Sequence, residues 1–305
     1  MANTRSGARL HGFVVVDKPA SWTSHDVVGW MRRLLGERQI GHAGTLDPAA
    51  TGVLPVGVGY ATRLMEYLSG TDKAYLAKIR LGIETDSLDG DGRVVATADS
   101  RHITAADIEA VLASWLGPKL QDPPMHSAIR VNGKRLYEHA RQGQEVERPL
   151  RSVTFHRLEL RDWSPPDAAV FVECSKGTYV RSLARDIGRD LGTGAYLANL
   201  VRNRTGPFCL SDAWTLAEIQ QRWESEGKRC WAGIAFHPDS VISDWPVIVL
   251  DEAAEARWQT GQALPSTSRA AGSCRAFNAA GDWLGIGMAS DDDRAWRPTK
   301  VAGAD

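Results

Sequence analysis

Apolar and polar positions along the chain mark out a series of short elements. Residues 13–16 form an apolar run of strand length, closed by a DKPA turn. Val27, Val28, Met31, Leu34 and Leu35 then recur at helical spacing, with Ser24 as the expected N-cap. After a glycine- and proline-rich loop, ATRLMEYLSG reads as a helix closed by Gly70, and KAYLAKIRLGIETDSLDGDGRVV as two strands around an Asp/Gly turn, a hairpin. Thr104 with Asp107 three positions on has the form of a capping box, and its helix should run to about Leu116. Beyond Pro123 and Pro124, SAIRVNGKRLYEHARQG predicts a strand, a turn at Asn132 and Gly133, and a helix ending at Gly143. Strands are expected at 151–160 and 168–174, then a helix over 178–191 with Leu183, Ile187 and Leu191 on one face. Residues 224–245 carry little pattern and read as a linker. The apolar runs 247–250, 274–277 and 283–288, split by Gly and Asp turns, suit a small β-barrel. There are no repeats and no low-complexity tracts.

At 305 residues, 43% hydrophobic and 24% charged, the composition is that of a globular protein with room for two domains. No apolar run approaches the roughly 20 residues that span a bilayer. The opening MANTRSGARLHG lacks the apolar stretch of a secretory signal, and residues 1–10 are expected to be a disordered tail. Cys174, Cys209, Cys230 and Cys274 are scattered without a CxxC pair, which disfavours a disulfide framework or a zinc site and suits a reducing cytoplasm. The net charge of −1 conceals local contrast: residues 128–157 and 174–206 each count to +4, while 239–305 counts to −4. Such basic segments can meet phosphates, although the counts alone favour two solvated faces.

The densest chemical signal is residues 41–59, GHAGTLDPAATGVLPVGVG. One acid, Asp47, stands there among glycines and prolines, with no other carboxylate between Glu37 and Glu66. A lone acid disfavours a hard-cation site, which needs several carboxylates. The glycine spacing fits neither GxxxxGK[ST] nor GxGxxG. Asp-Pro is also a common turn opener, so on the loop alone turn capping and chemistry stand level.

The loop resembles the signature of the TruB family, the bacterial tRNA pseudouridine synthases. The resemblance continues through DKPASWTSHDVV, KAYLAKIRLGIETDSLDGDG, PPMHSAIRVNGKRLYEHARQG, SKGTYVRSLARDIG and LANLVRNRTGPF, over most of residues 12–215. The last 60 or so residues are more loosely similar to the small RNA-binding PUA barrel. His126, where tyrosine or phenylalanine is usual, and Arg130, where lysine is common, depart from the pattern.

The resemblance implies a role for individual residues. By it, Asp47 matches the nucleophile that attacks the target uridine, on the sugar or on the base, and as such it must be ionised. Arg181 matches its charge partner, and Tyr75 a tyrosine packed on the base and able to help move the C5 proton. Tyr179 and Leu200 match pocket residues, His42 a histidine beside the extruded base, and Asp89 an acid near the site, where Asp86 and Asp91 compete for that role. Lys18, Lys73, Arg130 and Lys134 are expected on the RNA backbone. The implied fold is α/β: a mixed, largely antiparallel sheet flanked by helices (residues 11–240), then a PUA-like barrel (241–305). The implied reaction is isomerisation of uridine 55 in the tRNA T-loop to pseudouridine, in the cytoplasm, with tRNA T-loop and T-stem as partner. No cofactor, metal or obligate protein partner is implied. Rival readings are an RNA-binding or RNA-folding protein using the same cleft, an RNA-guided relative working in a larger particle, and a small-molecule phosphate enzyme.

Overall fold

The computed structural model describes residues 10–125, 127, 130–131, 133–142, 144, 146–266, 271–290 and 294–302. The expected tail up to residue 9, His126, Asn132 and Gly143 lie outside the described residues, as does the side chain of Arg130.

Strand β1 (Gly12–Lys18) is sandwiched, because its apolar residues point both ways. Val14 and Val16 pack with helix α1 (Ser24–Leu35) through Val27, Val28 and Met31, while Phe13 and Val15 pack on the opposite face with Leu64, Leu68 and Phe208. Thr23, rather than the expected Ser24, caps α1. It is extended (φ −76°, ψ 156°), accepts from the Asp26 amide, and the Asp26 carboxylate accepts from the Thr23 amide in return. Ser24 is already helical, and its hydroxyl is used elsewhere.

Strand β2 (Ile40–His42) pairs with β3 (Thr51–Val58). A 3₁₀ turn (Gly59–Leu64) runs into α2 (Met65–Ser69), so the expected helix is present with a tighter first half. Strand β4 (Lys73–Leu81) is followed by the short hairpin of β5 (Ile83–Thr85) and β6 (Val94–Thr97). The Asp/Gly turn therefore joins these two strands, and β4 pairs elsewhere. Helix α3 (Ala105–Ser114) carries the expected Thr104–Asp107 capping box. Then come β7 (Gly117–Gln121), β8 (Arg130–Val131), β9 (Lys134–Arg135), α4 (Leu136–Arg141), β10 (Arg151–Ser164) and β11 (Asp167–Cys174). Helix α5 (Val180–Asp190) leads to β12 (Ala195–Thr205), β13 (Phe208–Cys209), α6 (Leu216–Glu226) and α7 (Trp231–Ile234).

Among the described residues the main sheet follows the order β1-β3-β12-β4-β11-β10-β7, with β2 and β13 beside it. Its pairs are antiparallel except β3 with β12, which gives the expected mixed, largely antiparallel sheet. Helices α3 and α5 cover one face through Ile108, Leu112, Leu183 and Ile187. Strand β12 lies between β3 and β4, joining the two halves of the chain. It sets Arg202 opposite Gly52 on one side and opposite Tyr75 on the other. Gly52 is required there: its φ is 95°, and a Cβ would stand 2.4 Å from the Arg202 carbonyl oxygen.

The stretch expected to be a linker is packed instead. A 3₁₀ turn (Gly227–Cys230), α7 and a second 3₁₀ turn (Pro238–Ile242) bury Cys230, Ile234 and Ile242, and Phe236 exchanges backbone hydrogen bonds with Phe13. Turns this short give no sustained 3.6-residue period to read. The last segment forms β14 (Val247–Leu250), α8 (Glu252–Gln259), β15 (Leu264–Pro265), β16 (Ser273–Asn278), β17 (Trp283–Ala289) and β18 (Ala295–Val301). These strands make a half-barrel of order β14-β16-β17-β18-β15, curled over fully buried Trp258, whose indole N–H donates to the Leu284 carbonyl at 2.9 Å. Among the described residues, no helix is long and apolar enough to cross a membrane.

Candidate active site

The loop between β2 and β3 is held by side chains that bond its backbone. Gly44 sits at φ 84°, and its carbonyl accepts from Arg202 Nη2 at 3.0 Å. The Ser24 hydroxyl both accepts from the Leu46 amide (2.9 Å) and donates to its carbonyl (3.2 Å). The Pro48 carbonyl accepts from the Ser21 amide (2.9 Å) and from Lys18 Nζ (3.1 Å). Asp47 is thus fixed on both sides through its neighbours, and its own carbonyl accepts from the Ala50 amide. Its carboxylate is left for the cleft.

That carboxylate meets Arg181, the second residue of α5. Arg181 Nε lies 3.0 Å from Asp47 Oδ2, and Nη1 lies 3.1 Å from Asp89 Oδ2 and 3.4 Å from the Ser87 carbonyl. Arg181 is only 6% exposed, so this pair keeps more of its strength than a surface ion pair. Asp89 is oriented in turn by the Ser87 hydroxyl and the Asp91 amide. Of the three competing acids, Asp89 is the one on Arg181, while Asp86 accepts from the Arg93 amide across the hairpin. The Asp47 side chain is 45% exposed to the open cleft, yet the walls withdraw enough water to lift its carboxyl above the ordinary aspartate value of 3.8. Arg181 opposes that rise, and the negative charge of Asp89 adds to it.

The cleft encloses about 470 Å³. Tyr75 on β4, Leu200 and Arg202 on β12, and Tyr179 at the start of α5 line it together with Asp47 and Arg181. Leu200 and Arg202 are two apart on one strand and so share a face. Tyr179 is pinned through its backbone: its amide donates to Gln121 Oε1 at 2.8 Å, and its carbonyl accepts from Gln121 Nε2 at 3.0 Å. Gln121 is itself buried. Tyr75 is 7% exposed, and burial pushes its hydroxyl up to about 12, so it stays protonated at neutral pH. A cleft of this size, with aromatic walls and one carboxylate paired to Arg181, can receive a flat heterocycle turned out of a nucleic acid and present an anion to it.

Known proteins share both the sequence and the fold that build this cleft. Residues 32–180 match the N-terminal domain of the TruB family of pseudouridylate synthases, 181–232 match a tRNA pseudouridylate synthase B C-terminal domain, and 246–296 match a pseudouridine synthase II TruB C-terminal domain. A tRNA pseudouridine synthase B of Symbiobacterium thermophilum is 49% identical over 259 residues, 84% of either chain. This chain belongs to the TruB family. The tRNA pseudouridine synthase B of Dehalococcoides mccartyi is 39% identical over 292 residues, 96% of either chain. Among solved structures, a chain of a Cbf5-Nop10-Gar1 complex superposes with a TM-score of 0.73 at 25% identity, over 99% of this chain and 91% of that one.

Within this TruB-family fold, Asp47, Arg181, Tyr75, Tyr179 and Leu200 come together at one cleft and Asp89 stands behind them. Four other expected residues fall differently. Lys18, expected to touch phosphate, is fully buried: its ammonium donates to the carbonyls of Pro19 (2.9 Å), Trp22 (2.6 Å) and Pro48 (3.1 Å), and burial pushes it down to about 8. An apolar surround leaves an ammonium no choice but to find acceptors, and the loop backbone supplies them. Lys73 lines the cleft but donates to the Thr71 carbonyl at 2.6 Å, and burial lowers it also to about 8. His42 ends β2 beside the cleft rather than in its wall, and burial lowers its imidazole. Its Nδ1 is buried without a hydrogen-bond partner among the described residues. Lys134 is exposed on the β8–β9 hairpin.

Three residues of the site escape the sequence reading: Ser24, which appears there only as a cap, Gln121 and Arg202. Arg202 lies two positions after Leu200, so the strand period of β12 is the signal that puts both on the cleft side. The charge counts mislead for a related reason. In 174–206, Arg181, Arg185, Arg202 and Arg204 all point at internal acceptors.

Proposed function

We propose that this protein isomerises uridine 55 of the tRNA T-loop to pseudouridine, with Asp47 as nucleophile toward a uridine turned out into the cleft. The observation that carries the reading is the Arg181–Asp47 contact of 3.0 Å at the mouth of a cleft walled by Tyr75, Tyr179 and Leu200. Arg181 stabilises the ionised carboxylate while the loop tethers aim it, and the tyrosines hold the base by stacking. The isomerisation breaks the C1′–N1 bond and forms C1′–C5, and the C5 proton is released as N1 takes one up. Substrate and product are isomers, and the Asp47 carboxylate is regenerated, so the residues present suffice without a cofactor. Tyr75, protonated at neutral pH, covers the base, and its hydroxyl can relay the C5 proton by passing its own proton to solvent water in the open cleft as it takes that one up. By the family resemblance, His42 is proposed to enter the space near the extruded uridine.

Residues 11–240 carry this chemistry in our reading, and 241–305 form a PUA-like unit that adds RNA contacts outside the T-loop. Lys73, Arg130 and Lys134 are proposed to meet the phosphates of the T-loop and T-stem. The enzyme works in the cytoplasm without an obligate protein partner. The test is incubation with an unmodified tRNA transcript and mapping of pseudouridine along it. The reading expects modification at position 55, and none when that position is cytidine. No pseudouridine, or pseudouridine elsewhere with position 55 untouched, would overturn it.

A further inference from the structure

Arg202 belongs to neither the nucleophile pair nor the stacking walls, yet it lies where they meet. It is 1% exposed and among the largest fully buried side chains of the protein. Its Nε donates to the Val53 carbonyl at 2.7 Å and its Nη2 to the Gly44 carbonyl at 3.0 Å. Its register partner on β4 is Tyr75, so the two side chains stand next to each other on one face of the sheet, and both line the cleft. On the opposite edge the β3 backbone presses against it at Gly52, which fixes where the side chain starts.

The other tethers of the loop differ in kind. Ser24, Ser21 and Lys18 belong to the β1–α1 segment, and they tie Leu46 and Pro48 to that half of the molecule. Arg202 ties the loop to the strands that carry Tyr75 and Leu200. We infer that Arg202 is a positioning residue for the proposed reaction: its forked guanidinium sets the distance between the Asp47 loop and the Tyr75 side of the cleft, and so the distance from nucleophile to bound uridine. The fork is the reason for arginine. A lysine ammonium carries charge but no planar pair of donors to span two carbonyls held apart by the loop.

This inference rests on the function proposed above, and one experiment separates the two. Wild type and Arg202→Lys are compared on an unmodified tRNA transcript for kcat, KM, tRNA affinity by filter binding, and melting temperature. Arg202→Lys should lower kcat by about 100-fold, the scale of a misplacement near 1 Å, with KM and tRNA affinity within about threefold of wild type. In the double variant with Tyr75→Phe the two losses should fall short of multiplying, because each disturbs the same alignment. Gly44→Ala tests the tether from the loop side with the arginine intact: its Cβ would lie 3.4 Å from Arg202 Nη1 at a φ that strains any side chain, and kcat should again fall while binding holds. This second variant decides the matter if Arg202→Lys does not fold. A folded Arg202→Lys or Gly44→Ala with kcat within threefold of wild type overturns the inference. So does a loss matched by an equal loss of tRNA affinity. A wild type that forms no pseudouridine overturns the functional reading instead.

Discussion

At the scale of single residues, the site is a balance around Asp47. In the proposed reaction only the carboxylate form attacks, whereas burial and the charge of Asp89 favour the neutral acid and Arg181 favours the anion. The net shift is upward, so activity is full above the raised value and is lost as pH falls through it, at a midpoint above the 3.8 of an ordinary aspartate. Asp89→Asn removes one opposing charge and frees Arg181 for Asp47. The acidic midpoint of the kcat/KM profile, which reports the free enzyme, should then move to lower pH, and an unmoved or raised midpoint would contradict the balance described. Ser24 works by geometry alone. Ser24→Ala removes both hydrogen bonds that clamp Leu46, and kcat should fall by about 10- to 100-fold while tRNA affinity changes little. Asp47 can be found in the sequence because a lone acid in a glycine- and proline-rich loop is conspicuous. The loop alone does not settle its role, since turn capping gives the same pattern. Lys18 shows the converse failure: a lysine in a matching motif says nothing of whether its ammonium faces phosphate or backbone carbonyls.

At the scale of elements, the loop, α5 and β12 each deliver one part of the site. The N-terminal end of α5 has no side-chain cap, and the buried side-chain amide of Gln121 on β7 instead pairs with both backbone groups of its N-cap residue Tyr179. Gln121→Ala would leave the Tyr179 amide without its acceptor, while the Tyr179 carbonyl keeps the Leu183 amide at 3.1 Å. It should cost about 1–3 kcal/mol in thermal or denaturant unfolding and raise KM through a misplaced pocket tyrosine. Removing the cap of α1 with Thr23→Ala should cost only about 1 kcal/mol. Elements with a sustained period or a clear punctuation mark (α1, α3, α5, β10 and β11) are legible from sequence. Strand β12 is not, because polar residues that serve the cleft break its alternation: Arg202 occupies a position where a core strand would carry an aliphatic residue. The packed turns between α6 and β14 escape because each is shorter than the period that would reveal it.

At the scale of the molecule, the main sheet and the half-barrel share a seam. Trp283 stands edge-on to Tyr60 at 5.0 Å between ring centres, Ile286 joins the cluster of Phe13 and Phe208, Arg275 pairs with Asp239 at 2.9 Å, and Lys300 bonds Glu66 and the Arg63 carbonyl. Some of the basic side chains of the acidic C-terminal segment are therefore spent on this seam, which net charge does not reveal. The seam predicts that far-UV circular dichroism and tryptophan fluorescence report one coincident thermal transition for the full chain, and two separated transitions would contradict it. What the assembled cleft does to a whole tRNA is tested most directly by Asp47→Asn. That substitution keeps shape and removes the anion. Under single-turnover conditions with unmodified tRNA, it should form no detectable pseudouridine while binding tRNA within a few-fold of wild type, and substantial pseudouridine formation by the folded variant would contradict the nucleophilic role of Asp47.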